Sequence, residues 1–179
     1  MKKITISICL FVCLSSTVFA QKVLKVGNIL PNIALLSTKG NVYSLNDQKG
    51  VILVFMTPTC DHCIAYETRV MALDKKYRAK GFPVVAIGPY GDDPIKYPLD
   101  AMPAMKKLAT SKGFTFPYLS DDGFKYTWLM DIKVTPTAVV LQKKPNGYLI
   151  KYIGRIDDEL DPKKVPNNKF VEQQVNKML

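Results

Sequence analysis

The sequence predicts an α/β fold: a mixed central sheet flanked by helices on both faces and entered through an N-terminal hairpin. Three observations carry this. The run VILVFM (51–56) is continuously apolar, β-branched and of strand length, as expected of a central strand covered on both sides. Immediately after it the apolar period becomes that of a helix. Beyond that point strands and helices alternate until a closing hairpin, the order of a layered sheet.

The elements follow in chain order. PNIALLSTKGNVYSL (31–45) reads as two short strands around the turn Thr38-Lys39-Gly40-Asn41. After strand 51–56, Cys63, Tyr66, Val70, Leu73 and Tyr77 make one helical stripe, with Glu67, Arg69, Asp74, Lys75 and Arg78 mostly off it and Gly81 as the stop. FPVVAIG (82–88) is the next strand, followed by a loop with Pro89, Gly91, Pro94 and Pro98. A helix over 100–112 ends at Gly113, FPYL (116–119) is a short strand, and a further helix covers 123–130. TAVVLQ and YLIKYIG flank the turn Lys144-Pro145-Asn146-Gly147, whose Asn-Gly marks a hairpin. Pro162 and Pro166 precede a final helix over 167–178.

The chain opens MKKITISICLFVCLSSTVFAQ. Lys2 and Lys3 precede an apolar run from Ile4 to Val12, and Val18-Phe19-Ala20 has the small residues that a signal peptidase accepts. Residues 1–20 therefore read as a secretory signal cut after Ala20. The segment is too short and serine-rich for a permanent membrane helix, and Val12 before Cys13 does not suit a lipoprotein site. Removing 20 of 179 residues leaves 159, a single domain over 21–179 with one core. The expected location is the periplasm or another extracytoplasmic space, with no stable membrane insertion once the signal is gone. Losing Lys2 and Lys3 takes the formal charge from +10 to +8. No lysine run is interleaved with aromatics, so the basic balance reads as a solvated surface and no nucleic-acid role is assigned.

Cys9 and Cys13 leave with the signal, so Cys60 and Cys63 have only each other in an oxidising space. They bracket Asp61 and the only histidine, His62. A cysteine at a helix N-terminus lies beside unpaired N–H groups and the positive end of the helix dipole, which favour thiolate. Cys60 is the expected nucleophile and Cys63, heading the buried stripe, the resolving thiol. A protonated His62 would stabilise the Cys60 thiolate, and Asp61 would oppose it. A purely structural bridge of this span closes too small a loop to constrain the unfolded chain much. Zinc needs four ligands, and two cysteines with one histidine do not supply them. Met102 and Met105 read as helix-surface and core residues, not a copper site. No metal and no cofactor are expected beyond the redox-active Cys60–Cys63 disulfide.

The strand, the CDHC site and its helix, together with Val134-Thr135-Pro136-Thr137 about 70 residues later at the mouth of a strand, resemble the thioredoxin fold. Within it the chain is similar to the redoxin branch, the peroxiredoxin-like AhpC/TSA proteins. The likeness rests on Cys60-Asp61-His62-Cys63, Tyr97-Pro98, Met105, the run 113–119 and Gly154-Arg155-Ile156-Asp157-Asp158. It covers most of 27–160 and implies an inserted helix between the third and fourth strands. It also implies that Thr135 and Pro136 form a cis-proline loop that shapes the substrate groove, with Thr57, Pro58, Thr59, Asp61 and His62 tuning the site. Two departures stand out. Thr59 replaces the tryptophan usual before the first cysteine, and Val54 replaces the buried acid that assists the second. Arg155 and the Asp157-Asp158 pair read as a surface turn with ion pairs.

The function expected is an exported thiol-disulfide oxidoreductase. Its partners would be protein thiols and disulfides, with a membrane or soluble thiol partner for recycling. A thiol-dependent peroxidase is the alternative. Thr57 has the threonine offset of such enzymes, but Leu53 holds their proline position and Thr135-Pro136 stands where they present arginine, a cation that peroxide cleavage needs. A non-catalytic binding module on the same fold is a third reading, which leaves two cysteines without a purpose.

Overall fold

The computed structural model describes residues 22–45 and 48–179; the signal segment expected at 1–20, with Cys9 and Cys13, lies outside the described residues. In chain order the elements are β1 (Ile29–Leu30), β2 (Ala34–Leu36), β3 (Val42–Ser44), β4 (Gly50–Phe55), α1 (Asp61–Tyr77), β5 (Val84–Gly88), α2 (Met102–Lys112), β6 (Tyr118–Ser120), α3 (Lys125–Leu129), β7 (Thr137–Lys144), β8 (Gly147–Gly154) and α4 (Phe170–Asn176). Six strands form one mixed sheet in the order β1-β8-β7-β4-β5-β6. β4, β5 and β6 run parallel, and β7 returns antiparallel against β4 with Phe55 opposite Thr137. α2 joins β5 to β6, the third and fourth strands of this sheet, where the resemblance places an inserted helix.

Alternation along β4 divides the core between the two faces. Ile52, Val54 and Met56 face the stripe Cys63, Tyr66, Val70, Leu73 and Tyr77 of α1, together with Met105 and Val175. Val51, Leu53 and Phe55 face Leu30, Tyr126, Met130, Leu141 and Ile150. Each side chain of this size that is fully buried contributes about 1.5–3 kcal/mol. The β2–β3 hairpin stands outside the sheet and covers the edge at β6, through a bridge from Ser37 to Leu119 and the Thr38 N–H donating to Tyr118 O at 2.9 Å. It thereby shields an otherwise open strand edge.

Three details depart from the sequence reading. β1 was not foreseen, because two residues carry no period. It exists by pairing with β8, where Gly147 has φ +137° and any Cβ would lie 2.6 Å from Leu30 O. The helix expected over 123–130 is regular only from Lys125, because Gly123 and Phe124 both have positive φ, 62° and 58°. Glu67 and Asp74, read as lying off the buried stripe, are 4% and 1% exposed. Burial of a charge requires partners. Glu67 has Lys112 Nζ at 2.7 Å. Asp74 pairs with Arg78 and accepts from Val84 N–H (3.0 Å) and Thr115 Oγ1 (2.8 Å), so it ties α1 to the start of β5 and to the approach to β6.

Asp74→Ala strands the Val84 N–H and unpairs Arg78. It is expected to destabilise the protein by about 3 kcal/mol in urea unfolding.

Candidate active site

The chain leaves β4 at Phe55 and crosses the sheet's end through Thr57, Pro58 and Thr59 to Cys60, the N-cap of α1. Cys60 is extended there (φ −76°, ψ 114°), and its Sγ accepts the otherwise orphaned N–H of Cys63 at 3.2 Å. The backbone donor therefore favours negative charge on this sulfur. Cys60 is half-buried; Cys63 is 1% exposed and packs into the core with Met56 and Tyr66. Both are free thiols.

The antiparallel pairing of β4 with β7 brings the residues before Thr137 to the same end of the sheet. The Cys60 thiol donates to Thr135 O at 3.3 Å across 75 residues of chain. The Thr135–Pro136 peptide is cis, and Thr137 Oγ1 fixes the loop by donating to Val134 O at 2.6 Å. Two clefts meet at this loop and His62. One, of about 310 Å³, has Tyr66, Pro136, Arg155, Ile156 and Leu160 in its walls. The other, of about 530 Å³, is walled by Tyr90, Phe124, Trp128, Ile132 and Lys133.

The electrostatics separate the two sulfurs. Burial first, then the hydrogen bond with Cys60, pushes the Cys63 thiol up to about 12. The Thr57 backbone N–H and the Thr135 hydroxyl oppose that rise without cancelling it. Position 54, fully buried beneath the site, is valine and carries no carboxylate. On the same helix Glu67 stands one turn beyond Cys63, held by Lys112. Tyr118, whose hydroxyl is pushed well above its ordinary range by burial, donates to Met56 O at 2.8 Å and fixes the strand end beneath the site.

Cys60, Cys63, Thr57, Thr135 and Pro136 lie together at one end of the sheet. Asp61 and His62 are exposed on the first turn of α1, and Thr57 is buried under it. Thr59, singled out only for the tryptophan it replaces, is fixed by a residue the sequence reading missed. Asp100 accepts from Thr59 N–H at 2.9 Å, and its two carboxylate oxygens take the Thr59 hydroxyl at 2.9 and 2.7 Å. Asp100 ends the loop before α2, so this loop is clasped to the residue preceding Cys60. A carboxylate at the end of a proline-rich loop was the only signal available, and it names no partner. Met105 is in the core and Met102 only partly covered, as read. The expected ion-paired turn divides: Asp157 takes Arg69 and the Tyr66 hydroxyl, Asp158 takes Asn168, and Arg155 lines a cleft. Among the described residues no group of three or more His, Cys, Asp and Glu side chains could hold a metal ion.

Three outcomes are expected. At neutral pH iodoacetamide modifies Cys60 and spares Cys63, read by peptide mass spectrometry. The folded chain holds the Cys63 proton up to about 12 and an unfolded thiol releases it near 9.0, so the dithiol protein loses stability as pH rises through that window. Asp100→Ala speeds amide exchange at Thr59, whereas Asp100→Asn, which keeps an acceptor, retains most of the protection.

Solved structures share this fold. An uncharacterized conserved protein from Geobacillus kaustophilus is 28% identical, with a TM-score of 0.69 over 81% of this chain and 76% of that one. The thioredoxin domain of a thiol-disulfide oxidoreductase from Bacteroides vulgatus is 18% identical, with a TM-score of 0.62 over 87% and 99%. Peroxidoxin BcpB from Mycobacterium tuberculosis is 15% identical, with a TM-score of 0.59 over 86% and 93%. The last two likenesses are of fold, and that fold is thioredoxin-like. None of the curated proteins matches the chain significantly. A family match runs over residues 26–158, with the CDHC site, the cis-proline loop and both clefts' walls within or at its edge, and the chain belongs to the AhpC/TSA family.

Proposed function

We propose that this chain is an exported thiol-disulfide oxidoreductase that exchanges its Cys60–Cys63 pair with protein thiols and disulfides. The observation that carries the reading is the accessible Cys60 sulfur against Thr135 O at 3.3 Å, with Cys63 buried one turn behind it. Cys60 attacks one sulfur of a substrate disulfide, forms the mixed disulfide and expels the other sulfur as a thiolate, which takes a proton. Cys63 then gives up its proton and attacks Cys60 Sγ, forming the Cys60–Cys63 disulfide and releasing the second substrate thiol. Two electrons pass from the pair to the substrate, and the reverse sequence oxidises a substrate dithiol.

The remaining residues take supporting roles. The substrate main chain lies against Thr135 and Pro136, between the two clefts. Burial keeps Cys63 protonated until the mixed disulfide forms, so it does not compete as nucleophile. Thr57 and Pro58 shape the loop under Cys60, Thr59 holds it through Asp100, and Asp61 and His62 set the charge around the sulfur. A membrane or soluble thiol partner restores the pair. Export rests on the leader at 1–20 with its cleavage point after Ala20. Among the described residues no helix is long and apolar enough to cross a membrane.

Insulin reduction with dithiothreitol as electron source tests the reading. Cys60→Ser is expected to fall to the uncatalysed rate, and Cys63→Ser to accumulate a mixed disulfide with insulin on non-reducing gels. A Cys60→Ser protein as fast as the wild type would end the proposal.

A further inference from the structure

The three arginines of the sequence stand in different company. Arg69 pairs with Asp157 at 3.1 Å, and Arg78 pairs with buried Asp74. Among the described residues Arg155 forms no ion pair with a carboxylate. It lines the cleft of about 310 Å³ whose other walls are His62, Tyr66, Pro136, Ile156 and Leu160. The cleft runs along the same Thr135–Pro136 loop that touches Cys60 Sγ.

The neighbouring acids are already committed. Asp157 Oδ1 accepts from the Tyr66 hydroxyl at 2.8 Å and from Arg69, and Asp158 is bound to Asn168. The Arg155 charge is felt at the cleft wall. Burial and then Asp157 push the Tyr66 hydroxyl up, and the Arg155 guanidinium pulls it back. The remaining walls are largely apolar, and the guanidinium itself reaches solvent at the cleft mouth. The cleft's volume is that of a small-ligand site. A planar guanidinium without a carboxylate partner is matched in shape and charge by a carboxylate.

We propose that this cleft is an anion subsite serving Cys60, which holds the carboxylate of a substrate disulfide on Arg155 while Cys60 attacks the adjacent S–S bond. The inference rests on the exchange reading given above and names its substrate class: disulfides in which one half is a small organic acid or peptide end bearing a carboxylate. Attack joins the carboxylate-bearing half to Cys60 and expels the other half as a thiolate, which takes a proton from water. Cys63 then loses its proton, attacks Cys60 Sγ and releases the held half as a thiol. Both electrons come from the reduced Cys60–Cys63 pair, so a single turnover needs no further reductant.

The test is single-turnover oxidation of the reduced protein by three small disulfides: dithiodipropionate (anionic), hydroxyethyl disulfide (neutral) and cystamine (cationic). Leaving thiols of different acidity cancel when wild type and variant are compared on the same disulfide. Arg155→Gln is expected to lower the anionic-to-neutral rate ratio about tenfold. Arg155→Lys, which keeps the charge, should retain most of the ratio, and added salt should reduce it in the wild type while leaving Arg155→Gln unmoved. Because the ratio is taken within one protein, a partly unfolded variant does not mimic the effect. An unchanged ratio in Arg155→Gln, with all three disulfides reacting through Cys60, overturns the subsite and leaves the exchange reading standing. Failure of the wild type to react with any of the three, or reaction undiminished in Cys60→Ser, overturns both.

Discussion

The antiparallel pairing of β4 with β7 is the constraint on which the site depends. Phe55 opposite Thr137 sets Thr135 and Pro136 beside the loop that leads to Cys60, and the 3.3 Å contact across 75 residues follows from that register. A slip by one residue would turn every buried side chain of β7 toward the opposite face, and Val51 to Phe55 and Val139 to Leu141 are all fully buried. The register is therefore held by the whole core. The parallel strands end on the same side, where Tyr118 of β6 reaches Met56 O, and the site lies outside their carboxyl ends as α/β sheets favour.

Above this frame the two sulfurs are separated by one helical turn. Position at the N-cap leaves Cys60 reachable and gives its sulfur a backbone donor, while the next turn directs Cys63 into the core. Burial then separates the two thiols electrostatically, holding the Cys63 proton more tightly than an exposed thiol would. A second clamp organises the far wall of the site. Arg69 takes Asp157 and the carbonyls of Glu159, Asp161 (2.5 Å) and Lys164 (3.2 Å), which curls the segment after β8 and sets Ile156 and Leu160 along the cleft. The acids beside Arg155 are used in this clamp and its neighbourhood, which is why its guanidinium is left to the cleft.

Most of what was legible in the sequence was local. The apolar run 51–56, the stripe from Cys63 to Tyr77, Gly81 in its left-handed conformation and the Asn146-Gly147 turn each encode an element within a few residues. The CDHC pair was found the same way, since a strand that changes directly into helical period puts its first residues at a helix N-terminus. The Thr135–Pro136 loop came from resemblance, because no local pattern ties it to Cys60. Glu67 and Asp74 misled for the opposite reason. A charged residue near an apolar stripe reads as exposed, and only Lys112, Arg78, Thr115 and the Val84 N–H, all supplied by the chain's folding, make their burial tolerable.

By itself the sequence determined the alternation of strands and helices, the family, and which thiols stand at the start of a helix, because these depend on periodicity and motifs carried by neighbouring residues. Tertiary structure alone decided that Asp100 holds Thr59 from 41 residues away, that Cys63 keeps its proton to about 12, and that Arg155 faces a cleft without a carboxylate partner. Hydrogen bonding, desolvation and ion pairing act through distances in space, and those distances were set by the pairing of strands far apart in the chain.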